Sequence, residues 1–265
     1  MLKFSANIST LFHEYPFIER IGEATRAGFD AIEFQSPYGE DPAVLKAELD
    51  AYRLPLVLMN FPVGDLMQGG QGLAAVPGHE AAFAMALSEA REFAEILQPR
   101  AMNVLAGRPD RQQDQALCES VFKTNLRKAY TLTCELGIKL LIEPVNTIDL
   151  PGFFLSGSQQ ALDLINEMPD IELSIQYDLY HMQMMESDLT TRLPAIIDRV
   201  GHIQFSDVPD RTEPGRGSID FEQIFELIDN LDYRGYVGAE YFPTVATSSS
   251  LDWLKLYRQT RDKDS

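Results

Sequence analysis

The amino-acid sequence predicts a closed (β/α)8 barrel, which is an α/β protein with eight parallel strands that alternate with helices. Short apolar runs rich in β-branched and aromatic residues recur eight times along the chain. Each run is followed by a longer amphipathic stretch, and the length of 265 residues suits one barrel. We therefore expect a single domain over residues 1–265.

The predicted strands are near-continuous apolar runs without the alternation of a half-exposed strand. This composition is typical of parallel strands that are covered on both faces. The predicted strands are residues 3–8, 30–34, 55–60, 100–105, 138–143, 171–178, 200–205 and 235–240.

The predicted helices lie between these strands, and two of them are followed by a glycine suited to a helix end, Gly28 and Gly137. A last helix is expected in the tail that holds the only Trp. An open, doubly wound sheet remains the alternative fold. The helices predicted between the strands are Phe17–Ala27, Ala43–Tyr52, Glu80–Leu97, Cys118–Leu136, Ser158–Glu167, Leu189–Arg199 and Phe221–Asn230.

The composition excludes several classes of partner. With 40 acidic against 22 basic residues, the formal net charge is −18, which repels nucleic acid and anionic membranes.

We find neither a membrane-spanning apolar stretch nor a secretory signal, so a cytoplasmic protein is expected. Cys118 and Cys134 lack a metal-ligand spacing and read as ordinary helix residues. The sequence leaves open whether the chain forms a homo-oligomer.

Four oxygen-bearing side chains stand at or near the ends of the last four predicted strands. They are Glu143, Asp178, Gln204 and Glu240, at spacings of 35, 26 and 36 residues. Because each spacing is about one βα unit, four adjacent strands should deliver these side chains to the same rim of the barrel. Two long loops, Pro62–Gly78 and Val208–Gly217, are expected to cover that rim.

Three carboxylates brought together repel one another unless a cation lies between them. A divalent cation with oxygen ligands, Mg²⁺ or Mn²⁺, fits this set better than a zinc site rich in thiolate or imidazole. A single strand-end acid usually caps a helix or faces solvent. Three acids and one amide at the ends of four successive strands favour a metal site made of Glu143, Asp178, Gln204 and Glu240.

Two further residues are candidates for binding a substrate. His181 follows Asp178 by three residues, where an imidazole can polarise a substrate oxygen. Arg211 lies in the loop after the strand of Gln204, where a guanidinium can bind a carboxylate, although a surface ion pair is an alternative. Arg216 could also bind a carboxylate or form a surface ion pair, and we rank it below Arg211 as a substrate-binding residue.

Several motifs along nearly the whole chain resemble the hydroxypyruvate isomerase family, within the xylose isomerase-like TIM barrels that include tagatose epimerases and 2-oxo-tetronate isomerases. The motifs are FSANIST, GFDAIEF, NFPVGD, LIEPVN, PGFFLSGSQQAL, IQYDLYHMQ, GHIQFSDVPDRTEPG and GAEYFP. The resemblance implies that Glu143 and Glu240 bind the metal and exchange the proton, and that Asp178 and Gln204 complete the metal site. It also implies substrate contacts for His181 and Arg211.

Two motifs depart from that family. Phe242 stands where relatives have a lysine (EYFP in place of EYKP), and Gly217–Asp220 reads GSID in place of GEIN. If the lysine of relatives binds the substrate carboxylate, the specificity of this chain differs from theirs.

The resemblance implies a metal-dependent interconversion of hydroxypyruvate and tartronate semialdehyde, through an enediolate, with a small 2-oxo acid as substrate. The alternatives are a 2-oxo-tetronate isomerase or ketose 3-epimerase with the same site, and a sugar-acid-binding barrel without turnover. A phosphodiesterase acting on damaged DNA would need several histidine ligands and a basic groove. Four histidines and a charge of −18 argue against it.

Overall fold

Eight parallel strands close into a barrel, as predicted. The computed structural model describes residues 1–186 and 188–263. Neighbouring strands pair in chain order, and β8 pairs with β1 to close the sheet. The strands are β1 Lys3–Asn7, β2 Ala31–Phe34, β3 Leu56–Asn60, β4 Ala101–Val104, β5 Lys139–Ile142, β6 Leu173–Asp178, β7 Val200–Phe205 and β8 Tyr236–Ala239.

The helices lie between the strands and at the end of the chain. Among the described residues, no helix is long and apolar enough to cross a membrane. The helices are α1 Glu19–Arg26, α2 Pro42–Tyr52, α3 Glu80–Leu97, α4 Gln115–Glu135, α5 Ser158–Asn166, α6 Leu179–Glu186, α7 Leu189–Ile196, α8 Phe221–Asn230 and α9 Asp252–Lys263.

Helix α6 is the element that the sequence patterns did not predict. It begins at the residue after β6, so no turn residue separates strand from helix. Its first turn is buried throughout, which hides the amphipathic period of a surface helix. Helix α7 also ends earlier than predicted, at Ile196, and a short 3-10 turn continues over residues 197–199.

The predicted helix ends at Gly28 and Gly137 are confirmed. Both glycines adopt the left-handed backbone conformation, with φ of +88° and +68°. A side chain with a Cβ rarely adopts this conformation, so glycine ends these helices at little steric cost.

An aromatic cluster joins the C-terminal helix to the barrel. The ring of Phe4 on β1 meets Trp253 edge-on at 5.1 Å between centroids, and Phe205 on β7 meets Trp253 at 5.0 Å. The indole of Trp253 also donates a hydrogen bond to Tyr241 Oη at 3.2 Å. These contacts hold α9 against the junction of β1 and β8, where the barrel closes.

Replacement of Gly238 on β8 by alanine is expected to destabilise the protein. A Cβ at this position would overlap the carboxylate of Glu33, which is buried inside the barrel. Since overpacking a filled interior usually costs about 1–3 kcal/mol, the free energy of unfolding in urea should fall by about that amount. Gly39→Ala is the matched control, because an added Cβ there meets nothing within 4 Å. Equal stability of the two variants would contradict the prediction.

Candidate active site

Three acidic side chains converge at the C-terminal rim of the barrel. Glu143 directly follows β5, Asp178 is the last residue of β6, and Glu240 directly follows β8. Their exposed fractions are 4%, 0% and 2%. The sequence placed them at strand ends, and parallel strands bring those ends to one rim because all eight run in the same direction.

A single guanidinium joins two of these carboxylates. Arg211 Nη2 lies 2.8 Å from Glu240 Oε2 and 3.3 Å from Asp178 Oδ2. The third acid, Glu143, belongs to a group with Asp178 and His181 in which one ligand atom from each lies within 4.8 Å of the others. Five of the six residues singled out in the sequence therefore meet at one place.

Arg211 points into this site and not toward the surface acids of its own loop. It lies between β7 and α8 with a positive φ of 56°, and its guanidinium stacks 5.3 Å from the ring of Tyr180. The ion pair with Glu213 that remained an alternative for Arg211 is formed instead by Arg216, whose Nε lies 3.1 Å from Oε1 of the buried Glu213.

Neutral amides complete the surroundings of the two glutamates. Asn7 Nδ2 donates to Glu240 Oε1 at 2.9 Å, and Gln35 Nε2 donates to the same oxygen. Asn103 Nδ2 donates to Glu143 Oε2 at 2.8 Å. Sequence reasoning missed these three amides. Asn7 ends β1, Gln35 follows β2 and Asn103 lies on β4, so the strand-end pattern that found the acids was available for them too.

Gln204 lies beside Asp178 in the pairing of β6 and β7. Its Nε2 donates to Glu33 Oε1 at 2.7 Å, and its Oε1 accepts from Gln176. Because Glu33 is an acceptor, it sets the orientation of the Gln204 amide. The amide oxygen has two lone pairs, so one remains for a further ligand.

His181 stands in the first turn of α6 and is buried, with 4% of its surface exposed. Its Nε2 lies 3.6 Å from Asp178 Oδ2 and 3.9 Å from Glu143 Oε1, and its Nδ1 lies 2.8 Å from Asn146 Nδ2. Burial, with a smaller effect of Arg211, lowers the pKa of His181 well below its usual value. Burial and Arg211 thus both favour the neutral form of the imidazole.

Burial and mutual repulsion raise the pKa of every acid in the site. Burial, followed by repulsion from Glu240 and Asp178, raises the pKa of Glu143 well above its usual value. Burial raises the pKa of Glu240 to about 7, although Arg211 opposes the shift. Burial also raises the pKa of Asp178, again against Arg211. One guanidinium thus does not compensate three buried carboxylates.

This donor set fits a divalent cation. Three buried carboxylates with raised pKa values and an amide oxygen with a free lone pair form an oxygen-rich group whose only positive charge, within the described part of the chain, is the guanidinium of Arg211. Such a group suits a divalent cation that prefers oxygen ligands.

Asp207 holds the loop that carries Arg211. Its buried carboxylate accepts hydrogen bonds from five backbone N–H groups of that loop, at 2.7 to 3.1 Å. Replacement by asparagine removes the charge and turns an N–H donor toward these donors. We expect Asp207→Asn to increase hydrogen exchange at the amides of residues 215–219 by about tenfold or more, since one hydrogen bond to a charged group contributes about 1.5–3 kcal/mol.

The matched control for this prediction is Asp210→Asn, the same substitution at an exposed position of the same loop. It should leave the exchange rates of these amides unchanged. If the amides of residues 215–219 exchange as slowly in Asp207→Asn as in the control, the loop keeps its conformation without the carboxylate.

Comparison with known families identifies the fold. The family model described as "Xylose isomerase-like TIM barrel" matches residues 21–257. A crystal structure described as AP endonuclease, family 2, from Brucella melitensis superposes with a TM-score of 0.92 at 37% identity, covering 97% of this chain and 99% of that chain.

Curated relatives are similar over nearly the whole length. The chain is 41% identical over 258 residues to "Hydroxypyruvate isomerase" of Escherichia coli (strain K12), covering 97% of this chain and 100% of the relative. It is 38% identical over 257 residues to "2-oxo-tetronate isomerase" of Cupriavidus necator, covering 97% and 99%. Both relatives are named as isomerases.

Proposed function

This chain belongs to the xylose isomerase-like TIM barrel family and is an isomerase of that fold, and we propose that it interconverts hydroxypyruvate and tartronate semialdehyde with a divalent cation. The observation that carries the proposal is the group of three buried carboxylates at the C-terminal rim. The guanidinium of Arg211 bridges two of them. Two glutamates in one group offer two proton carriers for a substrate bound between them.

Four side chains would hold the cation: Glu143, Asp178, Gln204 and Glu240. When bound, Mg²⁺ or Mn²⁺ polarises the substrate carbonyl and offsets the negative charge that develops on its oxygens. The neutral amides of Asn7, Gln35 and Asn103 orient the two glutamates.

The isomerisation moves hydrogen between two neighbouring carbons without any net oxidation. One glutamate takes a proton from the hydroxymethyl carbon, which leaves the substrate as an enediolate. The other glutamate returns a proton to the adjacent carbon, and the hydroxyl proton passes to the neighbouring oxygen. The former hydroxymethyl carbon becomes the aldehyde, and the former ketone becomes the secondary alcohol.

Arg211 is suited to bind the carboxylate of the substrate. Its Nε is buried and has no hydrogen-bond partner within the described residues, while its Nη2 contacts Glu240 and Asp178. A guanidinium N–H forms a strong, charge-assisted hydrogen bond with a carboxylate oxygen, so the free Nε–H supports this role. A buried donor without a partner is costly, and a substrate oxygen would remove that cost.

A four-carbon 2-oxo acid is the second candidate substrate. The similarity to a 2-oxo-tetronate isomerase is 38% over nearly the full length. Phe242 stands next to the site, since its backbone N–H donates to Arg211 O at 2.8 Å, and half of its surface is exposed. The family resemblance places a lysine at this position, so the apolar ring of Phe242 would remove one positive charge next to Arg211.

Phosphodiester cleavage in DNA is less well supported, although one structural neighbour is described as an AP endonuclease. Of the four histidines, only His181 lies among the site carboxylates, while His202 bonds to Glu33 and His79 contacts Gly72 O. A site with several histidine-bound metals would need more imidazoles at the rim. The net charge of −18 also opposes binding to a phosphate backbone.

Proton exchange followed by NMR tests the proposal. The protein, loaded with Mg²⁺ or Mn²⁺, is incubated with hydroxypyruvate in D₂O, with parallel samples that contain a chelator or the Glu143→Gln variant. We expect metal-dependent deuterium entry at the hydroxymethyl carbon and accumulation of tartronate semialdehyde, with both controls silent. Exchange only on a four-carbon 2-oxo acid would move the substrate to the second candidate. Silence on every 2-oxo acid and ketose would overturn the catalytic proposal in favour of a barrel that binds without turnover.

A further inference from the structure

The amide of Asn146 lies behind His181, on the side of the imidazole that faces away from the carboxylates. Asn146 follows β5 by four residues and is completely buried. Its Oδ1 accepts hydrogen bonds from the backbone N–H groups of Ile148 and Asp149, at 3.0 and 2.8 Å. Its Nδ2 donates to Asp149 Oδ2 at 2.9 Å and lies 2.8 Å from His181 Nδ1.

These contacts leave one orientation for the amide. Its oxygen must face the two backbone N–H groups, because a flipped amide would turn its own N–H groups toward them. Nδ2–H therefore points at His181 Nδ1. A hydrogen bond forms across this 2.8 Å contact only if Nδ1 accepts, so Nδ1 carries no proton and the ring proton lies on Nε2.

We propose that Asn146 is a positioning residue that holds His181 in the tautomer protonated at Nε2, so that His181 presents a hydrogen-bond donor, and no metal-binding lone pair, to the space beside Glu143 and Asp178. That a substrate oxygen accepts this hydrogen bond rests on the proposed function. The tautomer itself follows from the contacts of Asn146 alone.

The distances on the other side of the ring agree with this assignment. Nε2 lies 3.6 Å from Asp178 Oδ2 and 3.9 Å from Glu143 Oε1, which is too long for a direct hydrogen bond. The Nε2–H donor is therefore near two acceptors without being taken up by either. A substrate hydroxyl or carbonyl oxygen that enters between these groups would find a donor fixed in direction.

The tautomer of His181 also decides whether this residue belongs to the ligands of the proposed metal ion. Glu143, Asp178 and His181 are close enough to hold an ion by distance alone. A metal needs the lone pair of an unprotonated ring nitrogen, and the proton on Nε2 removes it on the side of the carboxylates. The cation ligands are then the oxygen donors, without His181.

Nitrogen NMR of the resting protein tests the tautomer directly. Protein labelled with ¹⁵N at its histidines gives separate signals for protonated and unprotonated ring nitrogens, and the His181→Gln variant identifies the signals of His181 by their loss. We expect a protonated Nε2 and an unprotonated Nδ1, both without metal and after addition of Mg²⁺. A protonated Nδ1, a ring protonated on both nitrogens, or an average of the two tautomers would overturn the proposal.

The Asn146→Asp variant tests the cause. One carboxylate oxygen would keep the backbone hydrogen bonds, and the other would face both Asp149 Oδ2 and His181 Nδ1 as an acceptor. Since Nδ1 would then lack a donor, the proton should move to Nδ1. The matched control is Asn125→Asp, at a buried amide that donates to Ala74 O elsewhere in the barrel, which should leave the His181 signals unchanged. An unchanged His181 tautomer in a folded Asn146→Asp would overturn the role of Asn146.

Turnover adds an independent readout. Asn146→Asp is expected to lower kcat/KM by about 10–100-fold, the size of effect seen when the partner that orients a metal-bound imidazole is lost. If wild-type protein shows no turnover on any 2-oxo acid while His181 shows the expected tautomer, the proposed function fails and the positioning role stands. If turnover is present and the tautomer is the opposite one, only the positioning role fails.

Discussion

The Glu240→Gln variant is expected to fold and to lose nearly all turnover. A glutamine cannot carry the proton, and a positioned acid or base contributes about 10²–10⁴-fold to a rate. The side chain amide keeps an oxygen that can accept from Asn7 and Gln35, and Arg211 keeps its contact with Asp178 at 3.3 Å. The fold should therefore survive, and kcat on the true substrate should fall by about two to four orders of magnitude.

Steady-state kinetics together with thermal unfolding checks this result. Glu222→Gln, the same substitution at an exposed position of α8, is the control and should keep wild-type turnover. Retention of more than about a tenth of wild-type turnover by Glu240→Gln would remove Glu240 as a proton carrier, given the usual size of such effects.

Addition of Mg²⁺ or Mn²⁺ is expected to raise the unfolding temperature of the wild-type protein, and Glu143→Gln should lose most of this response. A ligand that binds only the folded state adds about 2.7 kcal/mol of stability at a free concentration of 100 Kd. For a chain of this size, that is about 5–10 °C in Tm. Removal of one ligand carboxylate weakens binding and reduces the shift.

The metal-free form of Glu143→Gln separates a metal ligand from a structural residue. The carboxyl of Glu143 is buried against Glu240 and Asp178, and both repel its charge. A neutral amide removes that repulsion, so the metal-free variant should unfold close to the wild-type temperature. A large loss of metal-free stability, with the full metal shift retained, would show that Glu143 supports the fold and does not bind the cation. Calorimetry with and without chelator distinguishes the two results.

The sequence anticipated the barrel and most of its bounds because short continuous apolar runs mark the buried parallel strands, while the helical period marks the amphipathic helices between them. The region around Asp178 was the exception. The strand passes directly into α6, and His181 lies in a helical turn whose buried residues show no surface face. A helix is recognised from the sequence by the contrast between its buried and exposed faces, and the fully buried first turn of α6 lacks that contrast.

The candidate site was only partly predictable for a different reason. Acidic residues at strand ends are conspicuous in a sequence, whereas Asn7, Gln35 and Asn103 look like ordinary polar residues of turns. Their contacts also join distant parts of the chain, because Asn7 and Glu240 are 233 residues apart and meet only where β8 pairs with β1. Register and side-chain rotamers decide such contacts.

What the sequence determined by itself is the rim at which the chemistry gathers. Eight parallel strands must all end on one side of the barrel, so acids at consecutive strand ends must be neighbours. Only the tertiary structure decided how these groups are paired: Arg211 turns inward between Asp178 and Glu240, and Asn146 faces the ring of His181. The physical reason is that a hydrogen bond depends on distances and angles of a few tenths of an ångström and a few tens of degrees, which spacing along a chain does not specify.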